Sequence, residues 1–478
     1  MRSNYLTDVL TLFKNMALNS VGVERDLYQL LAAKDVPTAI SLMQNRDEDV
    51  DNALTEYNPQ KHKIMKRPNK PRKGEAPYIT EKLPRSRQRY INEVALFFLF
   101  GNNVVWSLKD GDSEVFKLFQ DFLKKTHFDS RMRTAKRLAG AETESAKLYN
   151  IFRDADDNII TNVVILARST GYTLRPMFDK YGNLAAFAYG YKLKQNGRQI
   201  QHWDIQTPNI LFYCEQSAIG GWRVEQTPNP TGKINVIYYK QVKEWEGSEK
   251  RLEREEFLDS KIGDTNNYFA DPVAIASADV VELMQKDNAT ARLIQMTGAN
   301  SRFEYVNPPT ASQLQATEKD NLEKSVLFDT FTPDFSFEAL RGMGTLSGAA
   351  IRNSMILGYI KRARNIELYQ ELLEREKNVI LAILKYQYPQ YEAKINELQI
   401  DFEFAEPFPD DVDTRWQRIS QLYGSGLVSM ETAVNMLGLT DNPDEEIDRI
   451  MLLGMERGEN KPVEEQQGEA EQQKTEEQ

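Results

Sequence analysis

Residues 342–387 read GMGTLSGAAIRNSMILGYIKRARNIELYQELLEREKNVILAILKYQ. No proline interrupts the run, and after Gly348 its only glycine is Gly358. Apolar residues recur at Ile351, Met355, Tyr359, Ala363, Ile366, Leu373, Ile380 and Leu384. That spacing, near 3.6, predicts one long helix with a buried face. Ser347 is placed to cap it and Pro389 to stop it. About forty residues rising about 1.5 Å each make a rod of roughly 60 Å, against a mean helix of about 11–12 residues. A rod entered from a glycine-rich segment points to a spacer or wall in an assembly. The plainer alternative is a long helix packed across a large monomeric domain.

The 478 residues allow more than one domain. Sixty Lys and Arg against 71 Asp and Glu give a net charge of −11, which excludes a chain that wraps DNA by charge attraction. The charge is uneven: residues 61–90 hold eleven Lys/Arg and two Glu, whereas residues 440–478 hold thirteen Asp/Glu and four Lys/Arg. Cys214 is the only cysteine, so no internal disulfide framework exists, which suits a reducing compartment. Its setting, Ile210-Leu-Phe-Tyr-Cys214, reads as a strand, with Cys214 as a small strand residue. Residues 1–17 show no signal-peptide pattern, and the most apolar run, Val94 to Phe100, is far short of a membrane span. A soluble, cytoplasmic chain with no membrane partner is expected where it is made.

Residues 1–56 read as amphipathic helices. Pro59, Pro68, Pro71 and Pro77 among lysines and arginines make 57–80 an extended basic linker or arm, either solvated or touching nucleic acid or a neighbouring chain. Residues 81–150 return to helix, with Arg87–Phe100, a turn at Gly101-Asn102-Asn103, a short strand Val104-Val105-Trp106, and a helix Ser113–Lys125. From 151 to 240 the period changes to an antiparallel meander, with strands at 184–193, 199–205, 210–214 and 222–226 and a hairpin signal at Asn196-Gly197. Residues 245–285 read as helix broken near Pro272, 286–311 as β-prone with Pro308-Pro309, and 312–328 as helix. A strand follows at 400–403. Three short helices occupy 411–455, with Ser429 opening the second, Gly438 ending it, and Asn442-Pro443 opening the third. The Glu/Gln-rich tail from Gly458 is expected to be disordered.

Chemistry is hard to find. His62, His127 and His202 are not spaced for zinc. Gly232-Lys233 mimics the end of a phosphate loop, but Thr227 stands where its first glycine belongs. No G-x-S-x-G elbow or H-E-x-x-H exists, and Asp154, Asp156 and Asp157 sit in a turn. Gly342, Gly344 and Gly348 lack the preceding strand of a dinucleotide fingerprint. No catalytic residue, metal or cofactor is expected.

Several segments, in order, resemble the portal proteins of long-tailed (siphovirus-type) bacteriophages: Ile91 to Val105, the 151–216 meander, Lys233 to Tyr239 leading into Asp264-Thr-Asn-Asn-Tyr268, Thr345-Leu-Ser-Gly-Ala-Ala-Ile351, and Gly424 to Ile450. The resemblance covers about residues 76–455. It implies an α+β, mainly helical subunit: an N-terminal helical segment and basic linker (1–80), a wing of helices and antiparallel sheet (81–244), a stem helix region (245–285), a small α/β clip (286–311), a return stem helix (312–328), a tunnel loop (329–345), a long wing helix and strand (346–410), a helical crown (411–457), and an acidic tail (458–478). It further implies a ring, usually of twelve subunits, at one capsid vertex of the virion, assembled in the host cytoplasm. Such a ring passes double-stranded DNA, docks a terminase packaging motor, contacts capsid and scaffold proteins, and joins a head-tail adaptor.

The candidate channel residues are Asp329, Thr330, Thr332, Asp334, Arg341, Gly342, Gly344 and Thr345. They form a polar, turn-prone stretch between two helices, with backbone freedom at the two glycines and one cation, Arg341. An ordinary surface connector is the plain alternative. For the whole chain, a virion or head-tail adaptor protein without a channel is the competing class, and an enzyme with an unrecognised carboxylate site is a third.

Overall fold

The computed structural model describes residues 23–456 apart from 72–76, 196, 218–219, 271–273, 277–278, 285–292, 298–302, 306–310, 344–351, 409–411 and 439–442. It mixes helices with antiparallel sheets and divides into two units, residues 1–341 with 354–407, and residues 342–353 with 408–478.

Among the described residues of the larger unit, three helices come first: α1 (Val23–Ala32), α2 (Val36–Ser41) and α3 (Asp47–Tyr57). They are followed by α4 (Arg87–Phe100), β1 (Val104–Asp110), α5 (Ser113–Lys125) and α6 (Phe128–Glu142). The α4 and α5 boundaries are those the sequence predicts. Asp112 accepts from the Glu114 and Val115 amides, so α5 starts where its stripe of Val115, Phe119 and Phe122 begins. Residues 144–150, expected to belong to the helical region, form a strand together with 151–153, where strands were expected. This β2 (Glu144–Arg153) lies between β3 (Ile159–Leu166) and β9 (Val236–Lys240) in an antiparallel sheet. A second sheet has the order β4 (Thr173–Phe178), β5 (Leu184–Gln195), β6 (Arg198–Gln206), β7 (Ile210–Gln216), β8 (Trp222–Pro228), the predicted meander. The sheets share a core of Leu148, Leu166, Phe187, Val236 and Tyr238, and helices α1 and α2 cover the other side of the meander through Leu27, Leu31, Val36 and Ala39. Cys214 is buried in that second core, and burial pushes its thiol up to about 12, which suits a packing residue.

Two turns in these sheets share one plan. Asp154 Oδ1 accepts from the amides of Asp156 and Asn158, at 2.9 and 2.8 Å, and Asp179 Oδ1 accepts from those of Tyr181 and Asn183, both at 2.8 Å. The aspartates therefore serve as turn formers, as the sequence suggests for Asp154.

The helix α7 (Glu249–Ala270) pairs with α8 (Ala311–Asp329). The described residues between them in the chain form four short strands, β10 (Ala274–Ala276), β11 (Asp279–Met284), β12 (Leu293–Thr297) and β13 (Phe303–Tyr305), paired β10 with β13 and β11 with β12. The expected helix over 245–285 is thus corrected: it stops before Pro272, and residues 274–276 and 279–284 are strands, where Ile275, Val280 and Val281 favour extended backbone. Helices α7 and α8 are held together largely by charge, with Arg254–Glu318 at 2.8 Å and Lys319–Asp259 at 2.9 Å.

The basic segment 57–80 is also corrected: it folds against α7. His62 meets Glu256, Lys63 meets Glu253 at 2.6 Å, and Arg67 meets Asp264 at 2.6 Å. The chain doubles back through the Lys70–Tyr78 bridge and returns along the same helix, the Glu81 amide donating to Asp264, that of Leu83 to Ser260 and that of Arg85 to Glu256. Residues 253, 256, 260 and 264 lie on one face of α7, so the acidic helix and the basic segment are complementary by spacing as well as by charge. Two short 3-10 turns, Pro59–Lys61 and Lys63–Lys66, carry the first part of the segment, and Pro59 opens the first of them.

The long helix is shorter than predicted. After α9 (Phe337–Met343), Met355 interrupts the helical backbone and α10 runs Ile356–Gln387, about 48 Å at 1.5 Å per residue. It ends before the short turn at Pro389, as expected, and α11 (Glu392–Glu397) and β14 (Gln399–Phe404) follow. Ser347, the expected cap, lies outside the described residues. The buried side of α10 includes Tyr369, Leu373, Ile380, Ile383 and Leu384, but also Lys361 and Glu376, whereas Ala363 is exposed. β14 pairs antiparallel with β1, Val104 opposite Phe404, and closes the main core around α10.

The smaller unit contains α12 (Val412–Gly424), α13 (Met430–Leu437) and α14 (Pro443–Glu456). Ser429 caps α13, accepting from the Thr432 amide, and Gly438 ends it with φ +63°. Asn442 and the acidic tail lie outside the described residues.

Candidate functional site

Helix α8 ends in a rigid stop rather than a flexible loop. The Phe331 amide donates to Phe328 O at 3.1 Å and the Thr332 amide to Leu327 O at 2.8 Å, the two bonds of a Schellman motif. Phe331 occupies the left-handed position with φ +49°, where glycine is usual. Arg364 of α10 lies over its ring, 5.5 Å from the centroid. Thr330 and Thr332 are buried, their hydroxyls 2.9 Å apart, and Thr330 Oγ1 donates to Val326 O at 2.8 Å.

Lys361 supplies the charge that this helix end needs. Its ammonium donates to Thr330 O at 3.1 Å and lies 3.2 Å from Glu244 Oε2. A cation at a helix C-terminus satisfies an orphan carbonyl and complements the negative end of the dipole. Glu244 is shared with Lys136 of α6, and its side chain is only 7 % exposed. Burial alone would raise its carboxyl, but the two lysines outweigh burial and hold it at about 2. Gln241 completes the group by donating to Glu244 and accepting from Tyr369 of α10.

One residue further on, α4 takes over. Tyr90 donates its hydroxyl proton to Pro333 O at 2.7 Å and accepts from the Phe335 amide at 2.8 Å. The Phe335 ring packs against Phe97 and Phe98, with centroids 6.4 Å from each. Helices α4 and α10 meet closely beside this point: a Cβ at Gly358 would sit 2.2 Å from Phe98 Cζ.

The predicted residues therefore fall into two groups. Asp329 ends α8 and pairs with Arg251 of α7, while Thr330 and Thr332 belong to the buried root. Asp334 is exposed and accepts from the Ser336 amide at 2.8 Å. Arg341 and Gly342 are exposed on α9, so the expected loop over 329–345 is helical at 337–343. Gly344 and Thr345 lie outside the described residues. Lys361, Tyr90 and Glu244 were missed by sequence reasoning. A lysine inside an apolar helical stripe was the available signal.

A cleft of about 220 Å³ beside Lys361 is lined by Lys243, Glu246, Arg364 and Asn365 among others. The described residues hold no cluster of His, Cys, Asp or Glu suited to a metal ion, and no described helix is long and apolar enough to cross a membrane.

A sequence profile described as phage portal protein, SPP1 Gp6-like, matches residues 41–453. No curated protein matches. Among solved structures, one similar chain comes from the neck of a native GTA particle computed with C12 symmetry, at 9% identity and a TM-score of 0.43, covering 83% of this chain and 95% of that one. Another comes from the neck of an empty GTA particle computed with C6 symmetry, at 10% identity and a TM-score of 0.41, with the same coverage.

Proposed function

Because this chain belongs to the SPP1 Gp6-like phage portal protein family, we propose that it assembles into a closed ring around a channel for double-stranded DNA, with residues 329–345 at the narrowest part. The family is structural, and the chain is a portal protein, a head-tail connector and not an enzyme. The observation that carries the channel reading is the build of residues 326–343. A capped, buried root leads to an exposed helix bearing Arg341.

A conduit needs that combination, because its constriction must hold position while its surface meets DNA without gripping it. The net charge of −11 works against adhesion to phosphates, and Arg341 touches them only in passing. On this reading the partners are further copies of the chain, the DNA, a terminase packaging motor, capsid and scaffold proteins, and a head-tail adaptor. The ring sits at one capsid vertex and is built in the host cytoplasm. ATP hydrolysis belongs to the motor.

The test replaces residues 337–343 with a glycine-serine linker of equal length. Rings should still form and be visible end-on by electron microscopy, while DNA packaging or retention fails. Arg341→Glu should alter DNA passage with a stability change of only about 0.5 kcal/mol, since it is exposed. Normal packaging by rings carrying the linker refutes the channel assignment.

A further inference from the structure

We propose that Tyr90 and Lys361 are positioning residues that hold the exposed helix α9 in place, an inference that rests on the channel reading for its consequence but not for its geometry. Lys361 reaches from α10 to the end of α8, at Thr330 O and, 3.5 Å away, Thr332 Oγ1. Tyr90 reaches from α4 to both sides of Asp334, at Pro333 O and the Phe335 amide. Between them, two elements far apart in the chain clamp six consecutive residues, 330–335. From Ser336 onward, the described part of the segment is mostly exposed.

The two clamps differ in kind. Tyr90 is a neutral hydroxyl that donates on one side and accepts on the other, so it fixes the direction in which the chain leaves the root. Lys361 is an ion held by Glu244, which Lys136 holds in turn, so it ties the root to α6 as well as to α10. The close approach of Phe98 to Gly358 locks α4 and α10 together one turn before Lys361. A force on α9 is therefore passed to a rigid pair of helices.

Both clamps can be cut without removing the packing beneath them. Tyr90→Phe keeps the ring against the cluster of Ile91, Trp245, Leu252 and Val326 and loses only the hydroxyl. Lys361→Met keeps the aliphatic stem and leaves Glu244 paired with Lys136. The measurement is hydrogen exchange of the Leu340 and Arg341 amides in assembled protein, neither of which bonds to Tyr90 or Lys361. Each variant should speed this exchange about tenfold, equivalent to about 1.4 kcal/mol of local stability. Lys361→Arg, which keeps the charge, should restore most of the protection. Exchange at those amides unchanged in both variants overturns the proposal, as does Lys361→Arg behaving like Lys361→Met. The channel reading fails by a different measurement, packaging by the linker-replaced ring, so the two can fail separately.

Discussion

Glu376 sits on the buried face of α10 with its side chain fully enclosed, 2.6 Å from Lys147 Nζ of β2, and Tyr149 and Tyr239 both donate to it. Removing one member of such a pair leaves the other charge buried alone, which costs about 3–5 kcal/mol. Glu376→Gln should lower the urea midpoint by a corresponding amount. The double variant Glu376→Met, Lys147→Met should recover much of the loss, because an apolar pair carries no desolvation penalty. Equal losses in the single and double variants would contradict the account. His62 makes a second residue-level case. Its Nδ1 lies 2.6 Å from Glu256 Oε1 and its Nε2 2.7 Å from Glu56 O. Both partners are acceptors, so both nitrogens must carry protons. Burial lowers the imidazole, but the hydrogen bond and charge of Glu256 raise it further, and the net shift is upward. A raised value means that the stabilisation is fully present below the ordinary value of 6.5 and is lost as pH rises through the folded one. His62→Gln should therefore destabilise more at pH 6 than at pH 9, measured by thermal unfolding. A penalty independent of pH would show that His62 acts by shape alone. Neither pairing could be read from the sequence, because the partners lie about 190 to 230 positions apart.

Among the elements, the sequence was most legible where local chemistry decides. Helix α5 has a capping aspartate and a stripe of Val115, Phe119 and Phe122, and the β5–β6 turn has Gly197 at φ +80°. It was least legible where tertiary contact overrides local preference. Residues 144–153 carry charges that suit a helix surface, yet they form a central strand because Lys147 and Glu144 find buried partners. The end of α8 falls within one residue of its expected place, but the fixed, buried course of the chain after it was not legible: Phe331 stands where a glycine would have signalled the capping motif, and the charge that caps it comes from α10. The position of the candidate segment between two helices was readable, but the burial of its first half was not. Gly358 offers a test of the α4–α10 crossing. Alanine there would gain about 1 kcal/mol in helix propensity. The clash with Phe98 should outweigh this, giving net destabilisation of about 1–3 kcal/mol by chemical denaturation. Phe98→Leu in the same chain should relieve part of it. A Gly358→Ala protein more stable than the parent would mean that the two helices separate easily.

For the molecule as a whole, the pairing of β1 with β14 sets an order of events in time. Val104 lies opposite Phe404, and Asn102 donates to Glu406 O, so contacts near residue 100 are completed by residues 300 positions later. At about 5–20 residues per second, the early strand waits roughly 15–60 s for its partner to be synthesised. Throughout that interval β1 is an unpaired edge, and the pocket that α10 fills stands open. A chain stopped after Leu398, lacking β14, should be insoluble or remain bound to chaperones, whereas one stopped after Gly458 should be soluble and assemble. Recovery of assembled rings from the shorter chain would show that β14 is dispensable. If the order holds, a half-made subunit has no finished core to offer its neighbours. The ribosome then acts as the gatekeeper of assembly, releasing for incorporation only chains whose last strand has already closed the first.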